Sequence, residues 1–308
     1  MLPATWYSSS SVSAQSLLFC KCVGVVLMLM LGPILTLGWM MPKSQPSKGA
    51  RTQSYLDIDL DRWHYELSGS GEHTLVMLHG FGGDMSQWDN VWNILKGDRR
   101  RLLRLDLPGF GDSQPVIKQY TLDWQMARIK RFLDILHIDQ VVWVGYSMGA
   151  SIALALSATY PEITKGAILL APSAYPGGLG HKGLYGWILK NATARRLAHS
   201  YVESALYRWI FPRSLALPAL DITASYGSLW KTKLRKVKCP TLLIWSRTDQ
   251  VSKARFANDI ANSIPRAILR WLPDSSAHHI LHADGDKIAD SIKDFMVSLE
   301  SKSFKNES

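Results

Sequence analysis

Val141 to Ala150 reads VVWVGYSMGA, and the rest of the chain is arranged around it. A run of β-branched and aromatic residues breaks at Gly145, sets Ser147 between two glycines, and resumes as the small-residue run ASIALALSA. The pattern is strand, sharp turn, helix. In a G-x-S-x-G turn the serine takes a strained backbone conformation that lifts its hydroxyl out of the sheet. A Cβ at Gly145 or Gly149 would strike the neighbouring strand or helix. Ser147 is thereby presented as a nucleophile. The helix that opens at Met148 aims its N–H groups and positive dipole end at any oxyanion formed beside that serine.

Upstream of this elbow, Leu122, Met126, Ile129, Leu133 and Leu136 follow a four, three, four, three spacing, which predicts an amphipathic crossover helix. The strand RLLRLDL precedes it and runs into a proline and glycine turn at Pro108 to Ser113. Asp106, at the end of that strand, is read as a structural acceptor of backbone N–H groups. Earlier still, SYLDIDL alternates as a half-buried strand, RWHYELSG reads as its hairpin partner, and TLVMLHG is a continuous apolar strand. The expectation is two edge strands followed by an interior one. The third strand ends in His79, Gly80, Phe81, Gly82 and Gly83, a turn that lets a backbone N–H face the nucleophile. The N–H groups of Phe81 and Met148 are the expected oxyanion-hole donors. Trp88, Val91, Trp92 and Leu95 then space a helix over Met85 to Leu95.

Downstream, Pro161 ends the helix after the elbow, and GAILLAP, PTLLIW and AILRWLP read as the sixth, seventh and eighth strands. Strands alternating with crossover helices predict a mostly parallel sheet covered on both faces, with chemistry at the carboxyl ends of its strands. The seventh strand leads to Asp249, whose carboxylate can accept the Nδ1 proton of a histidine and so fix its tautomer. The eighth leads to His278 and His279, one of which is the expected general base.

HGFGG, DLPGFGDS, GYSMG and LLIWSRTDQ, in this order, resemble the α/β-hydrolase superfamily over Thr74 to Phe295. Within it the chain looks most like membrane-anchored monoacylglycerol lipases, related bacterial esterases and meta-cleavage C–C hydrolases. The resemblance implies the α/β-hydrolase fold, with Asp249 as acid of a triad in the chain order Ser, Asp, His. Ser246 stands where a glycine is usual in that loop. Counting from strand and helix favours His278 as base, whereas the run HILHAD resembles lipase tails in which His279 would serve. Such hydrolases insert a cap between the sixth and seventh strands, here at about 173–236. Leu184, Trp187, Ile188, Ala198 and Trp209 give it helical spacing and an apolar character. Asn191-Ala192-Thr193 matches a glycosylation acceptor, though a helical setting argues against its use.

At 308 residues the chain divides into a tail (1–21), an anchor (22–41), a linker (42–50), the hydrolase domain (51–300) and a tail (301–308). Residues 22–41 carry no charge and match the roughly 20 residues that span a bilayer as a helix. They exceed the usual apolar core of a cleaved signal peptide and lack its small-residue site, so a single-pass anchor is expected. Lys43, Lys48 and Arg51 against Lys21 tilt the domain toward the cytoplasmic side. The net charge of +10, with no acidic residue before Met41, favours anionic lipid surfaces or is a plain solvated surface. Nucleic acid is not an expected partner. No metal cluster, phosphate loop or dinucleotide fingerprint is present in the sequence, so neither metal nor cofactor is expected. The expected activity is hydrolysis of carboxylic esters with an apolar acyl chain. The alternatives are C–C bond hydrolysis, which would want polar cap residues for a carboxylate, and a low-turnover ligand-binding scaffold.

Overall fold

The computed structural model describes residues 54–59, 61–96, 100–113, 120–173, 191–203, 233–272 and 277–301, all within the unit Lys43–Ser308. The anchor, the linker and most of the cap fall outside the described residues. Among the described residues, no helix is long and apolar enough to cross a membrane.

Eight strands form one sheet: β1 (Ser54–Ile58), β2 (Asp61–Ser68), β3 (Thr74–Leu78), β4 (Arg101–Leu105), β5 (Val141–Tyr146), β6 (Thr164–Leu170), β7 (Thr241–Ser246) and β8 (Ala267–Leu272). Their spatial order is β1-β2-β4-β3-β5-β6-β7-β8. The β1–β2 and β2–β4 pairs are antiparallel and all later pairs are parallel. One expectation is corrected here: β2 is not an edge strand, because β4 occupies its other side. β1 pairs with one side of β2 and leaves the backbone groups of its other side to β4. Burial follows position, since TLVML in the middle of the sheet is buried at every residue while SYLDI at its edge alternates.

The helices are α1 (Asp89–Leu95), α2 (Leu122–Ile135), α3 (Met148–Thr159), α4 (Ala192–Glu203), α5 (Ala257–Ser263), α6 (Ile280–Ala283) and α7 (Gly285–Glu300). The segment read as one helix over Met85 to Leu95 is instead a 3-10 turn, Met85–Trp88, running into α1. Asp84 accepts the N–H of Ser86 and tightens this first turn. Two helical layers are visible from the side chains of β2. Trp63 and Tyr65 pack on Phe132 of α2, whereas Glu66 reaches the other face and pairs with Arg104. Arg104 is buried, donates to Asp89 of α1 at 2.6 Å and lies over the Trp92 ring, pinning α1 to the sheet. α3 is apolar on nearly every side and is correspondingly enclosed, packing on β3, β5 and β6. Trp63, Trp88, Trp92, Trp143 and Trp245 are all fully buried, and truncating any one to alanine costs about 3–5 kcal/mol.

α4 lies within the segment expected as the cap, of which residues 173, 191–203 and 233–236 are described. Asn191 precedes it, and its side-chain Oδ1 accepts the N–H of Ala194 at 3.0 Å. The amide of the glycosylation motif is thus engaged as a helix cap. Leu197 is exposed on α4 while Ala198 is buried. Cys239 is a free thiol whose burial pushes it up to about 11, so it stays protonated and unreactive.

Candidate active site

The strand order reverses its direction of growth between β3 and β5, and crevices open at such switch points. The two turns that leave these strands carry the candidate chemistry. Ser147 follows β5 with φ +52° and ψ −109°, a conformation costing a non-glycine residue about 1–3 kcal/mol. Its neighbours hold it there. The Ser147 N–H donates to Leu170 O at 2.8 Å, and its carbonyl accepts from Ser151 and Ser173. A Cβ on Gly145 would lie 2.4 Å from Gly149 O, and one on Gly149 would lie 2.1 Å from Leu78 O. Both glycines are therefore required for β3, β5 and α3 to meet so closely.

β7 ends at Ser246, and the loop beyond it buries Asp249. Asp249 Oδ1 accepts the N–H groups of Val251 and Ser252, both at 2.9 Å, which leaves Oδ2 to point at His278. The Trp245 indole donates to Ser252 O at 2.7 Å and fixes the far side of that loop. Ser246, in place of the usual glycine, is accommodated: it is buried, with its hydroxyl 3.0 Å from that of Thr248.

His278 Nδ1 lies 2.8 Å from Asp249 Oδ2, and its Nε2 lies 3.1 Å from Ser147 Oγ. Because the carboxylate can only accept, Nδ1 carries the proton and Nε2 is free to accept from the serine hydroxyl. The three residues are 1–9% exposed. His279 is exposed, and its ring centroid stands 6.4 Å from that of His278. The structure thus brings Ser147, His278 and Asp249 together and leaves His279 outside that line of contacts. His282 is exposed, and its N–H donates to His279 O.

Phe81 lies on the turn after β3, and Met148 is the first residue of α3. Gly82 takes φ +77°, and Gly83 N–H closes the turn onto Gly80 O. The Phe81 ring is partly exposed and packs edge-on against Phe110.

Three polar residues escaped the sequence reading. Gln87 accepts the Gly80 N–H at 2.8 Å and so braces the turn after β3; nothing in the local sequence marked it. His79 is fully buried, with Nδ1 donating to Gly80 O and Nε2 accepting from Leu107 N–H, so it ties the turn after β3 to the turn after β4. Burial lowers its pKa against the raising effects of Asp106, Gly80 and Asp84, and it remains neutral. Tyr146 donates to His278 O at 2.6 Å.

Asp106 behaves as expected, accepting the N–H groups of Met85 and Asp112 and facing His64 Nδ1 at 2.8 Å. Burial alone would raise its pKa, but His64, His79 and the two N–H groups together hold it below the usual carboxylate value. His64, Asp106 and Asp112 offer ligand atoms within 4.8 Å of one another, yet both Asp106 oxygens are already occupied by N–H donors.

A family model described as the alpha/beta hydrolase family matches residues 75–291. The chain is 27% identical over 212 residues to a dihydrolipoyllysine-residue acetyltransferase component of an acetoin cleaving system from Pseudomonas putida, covering 64% of this chain and only 57% of that protein. It is 28% identical over 242 residues to a 2-hydroxy-6-oxononadienedioate/2-hydroxy-6-oxononatrienedioate hydrolase of Klebsiella pneumoniae, covering 67% of this chain and 82% of the relative. It is 23% identical over 268 residues to the monoacylglycerol lipase ABHD6 of Homo sapiens, covering 76% and 79%. Among solved structures, a bacterial membrane phospholipase A superposes with a TM-score of 0.62 at 21% identity, covering 92% of this chain and 97% of the other.

Proposed function

The chain belongs to the alpha/beta hydrolase family, and on that premise we propose that it is a serine hydrolase that cleaves carboxylic esters of lipid-like or acylglycerol type through an acyl-enzyme. The observation that carries this reading is the unbroken line Ser147 Oγ, His278 Nε2 and Nδ1, Asp249 Oδ2, with links of 3.1 and 2.8 Å.

In the proposed mechanism Ser147 Oγ attacks the ester carbonyl carbon as His278 Nε2 takes its proton. Asp249 steadies the imidazolium and keeps the ring in the productive tautomer. The carbonyl oxygen gathers negative charge and is met by the N–H groups of Phe81 and Met148, the latter reinforced by the α3 dipole. Collapse expels the alkoxide, which leaves with the His278 proton. Water then enters, loses a proton to the same nitrogen, and releases the acid. The strained Ser147 backbone and the Gln87 contact to Gly80 support this reading, because both pre-set the geometry before any substrate arrives.

Lipid-like substrates are supported by the monoacylglycerol lipase relative and by the apolar cap sequence. Residues 22–41 would hold the domain at a bilayer, and the basic balance of the chain suits an anionic lipid face, with the domain on the cytoplasmic side. A second reading, C–C bond hydrolysis, draws on the Klebsiella relative.

The test is labelling by a fluorophosphonate in wild type and Ser147→Ala, followed by turnover of esters graded by acyl length. Label lost only in the variant, with rates rising toward longer chains, supports the proposal. Feeble, flat turnover of every ester alongside cleavage of a dienoate C–C substrate would replace it with the second reading.

A further inference from the structure

Tyr146 takes no part in the mechanism above, yet it touches both the turn after β3 and the loop that carries His278. Its hydroxyl donates to the backbone carbonyl of His278 at 2.6 Å, and its ring centroid lies 5.3 Å from that imidazole at 34°. On the other side its Cδ1 fills the space over Gly80, where a Cβ would come within 2.9 Å. It is 6% exposed. Burial and the nearby charge of Asp249 raise its pKa, so the phenol remains a donor.

The residue before His278 explains why that donor matters. Ala277 sits at φ +43°, in the left-handed region that L-residues with a Cβ disfavour. Relaxation of Ala277 to negative φ would swing the following peptide and carry the imbedded imidazole with it. The Ser147 contact, at 3.1 Å, is the longer of the two links in the line and tolerates little movement.

We infer that Tyr146 is a positioning residue: its hydroxyl clamps the His278 carbonyl and holds the strained Ala277 turn where the imidazole meets Ser147. The inference rests on the serine-hydrolase reading.

The test uses the full chain and measures the rate of fluorophosphonate labelling together with kcat and KM on a short-chain ester. Tyr146→Phe keeps the ring and should lower kcat and the labelling rate about tenfold with KM little changed, the order expected for one lost hydrogen bond. Glycine adopts positive φ freely, so in an Ala277→Gly background the same loss of hydroxyl should cost no more than about threefold. A Tyr146→Phe variant that labels at the wild-type rate overturns the inference, as does an equal or larger penalty in the glycine background. Should Tyr146→Phe fail to fold alone, the double variant against Ala277→Gly decides: near parity supports the clamp, and a tenfold deficit overturns it. Failure of wild type to take label at all would remove the hydrolase reading and the clamp together, an outcome distinct from the rest.

Discussion

His278–Asp249 and His64–Asp106 are two buried pairs with the same Nδ1 to Oδ2 distance, 2.8 Å, and similar seclusion. They differ at the far nitrogen. His278 Nε2 meets a strained serine hydroxyl, whereas His64 Nε2 is buried with no hydrogen-bond partner among the described residues and its ring stacks on Tyr55. They differ also in what they hold. Asp249 spends its second oxygen on its own loop, while Asp106 joins the turn after β4 to Met85 and to β2. A histidine–carboxylate pair is therefore no mark of catalysis in itself; the reactive assignment comes from what the distal nitrogen faces.

The largest expected effect separates the pairs by rate. His278→Ala and Asp249→Asn should each lower kcat by about 10³-fold or more, as removal of a triad member does. His64→Gln, measured on folded protein, should stay within about twofold on the same scale. A comparable loss from His64→Gln would erase the distinction.

Stability sorts them the other way. Asp106→Asn removes a buried carboxylate that accepts from His64, Met85 and Asp112, and should cost about 2–4 kcal/mol in a urea melt with kcat of the folded protein nearly unchanged. A midpoint equal to wild type would show that the second pair is dispensable.

Acidity sharpens the contrast further. The pKa of Asp106 is depressed in the fold, so its contribution is present above the unfolded value of 3.8 and is lost as pH falls through the folded value. His79 is likewise depressed: the unfolded chain takes up a proton below 6.5 that the folded chain refuses, and stability declines as pH drops from there. Thermal melts from pH 8 to 3 should show a first decline below about 6.5 and a second below about 4, with His79→Gln flattening only the first. The smallest effect is expected at the exposed neighbour of His278, where His279→Ala should leave both kcat and the melting midpoint close to wild type, with kcat changed by less than about 1.5-fold.

All eight strands were legible in the sequence because each is a short apolar or alternating run ended by a turn signal, and the glycines flanking Ser147 announced the elbow. Counting from strand and helix favoured His278 but left His279 open, since sequence neighbours in a loop differ only by rotation of one residue, and here Ala277 at positive φ sets that rotation. Gln87 and Tyr146 were equally hidden. Tyr146 reads as one more buried strand residue, and its role depends on His278 arriving from a distant stretch of chain; Gln87 lies off the apolar spacing of its segment, and its contact to Gly80 depends on how the turn between them folds. The place of β2 inside the sheet was missed because pairing partners far apart in sequence leave no local signature.

The forced backbone of Ser147 has one more consequence. That geometry is held by Leu170 on a neighbouring strand and by glycine contacts to a helix, so it cannot survive in a chain that has lost them. If the hydroxyl reacts as proposed, a covalent probe aimed at it counts intact molecules and ignores denatured ones, turning a reagent for chemistry into a gauge of conformational quality in crude extract.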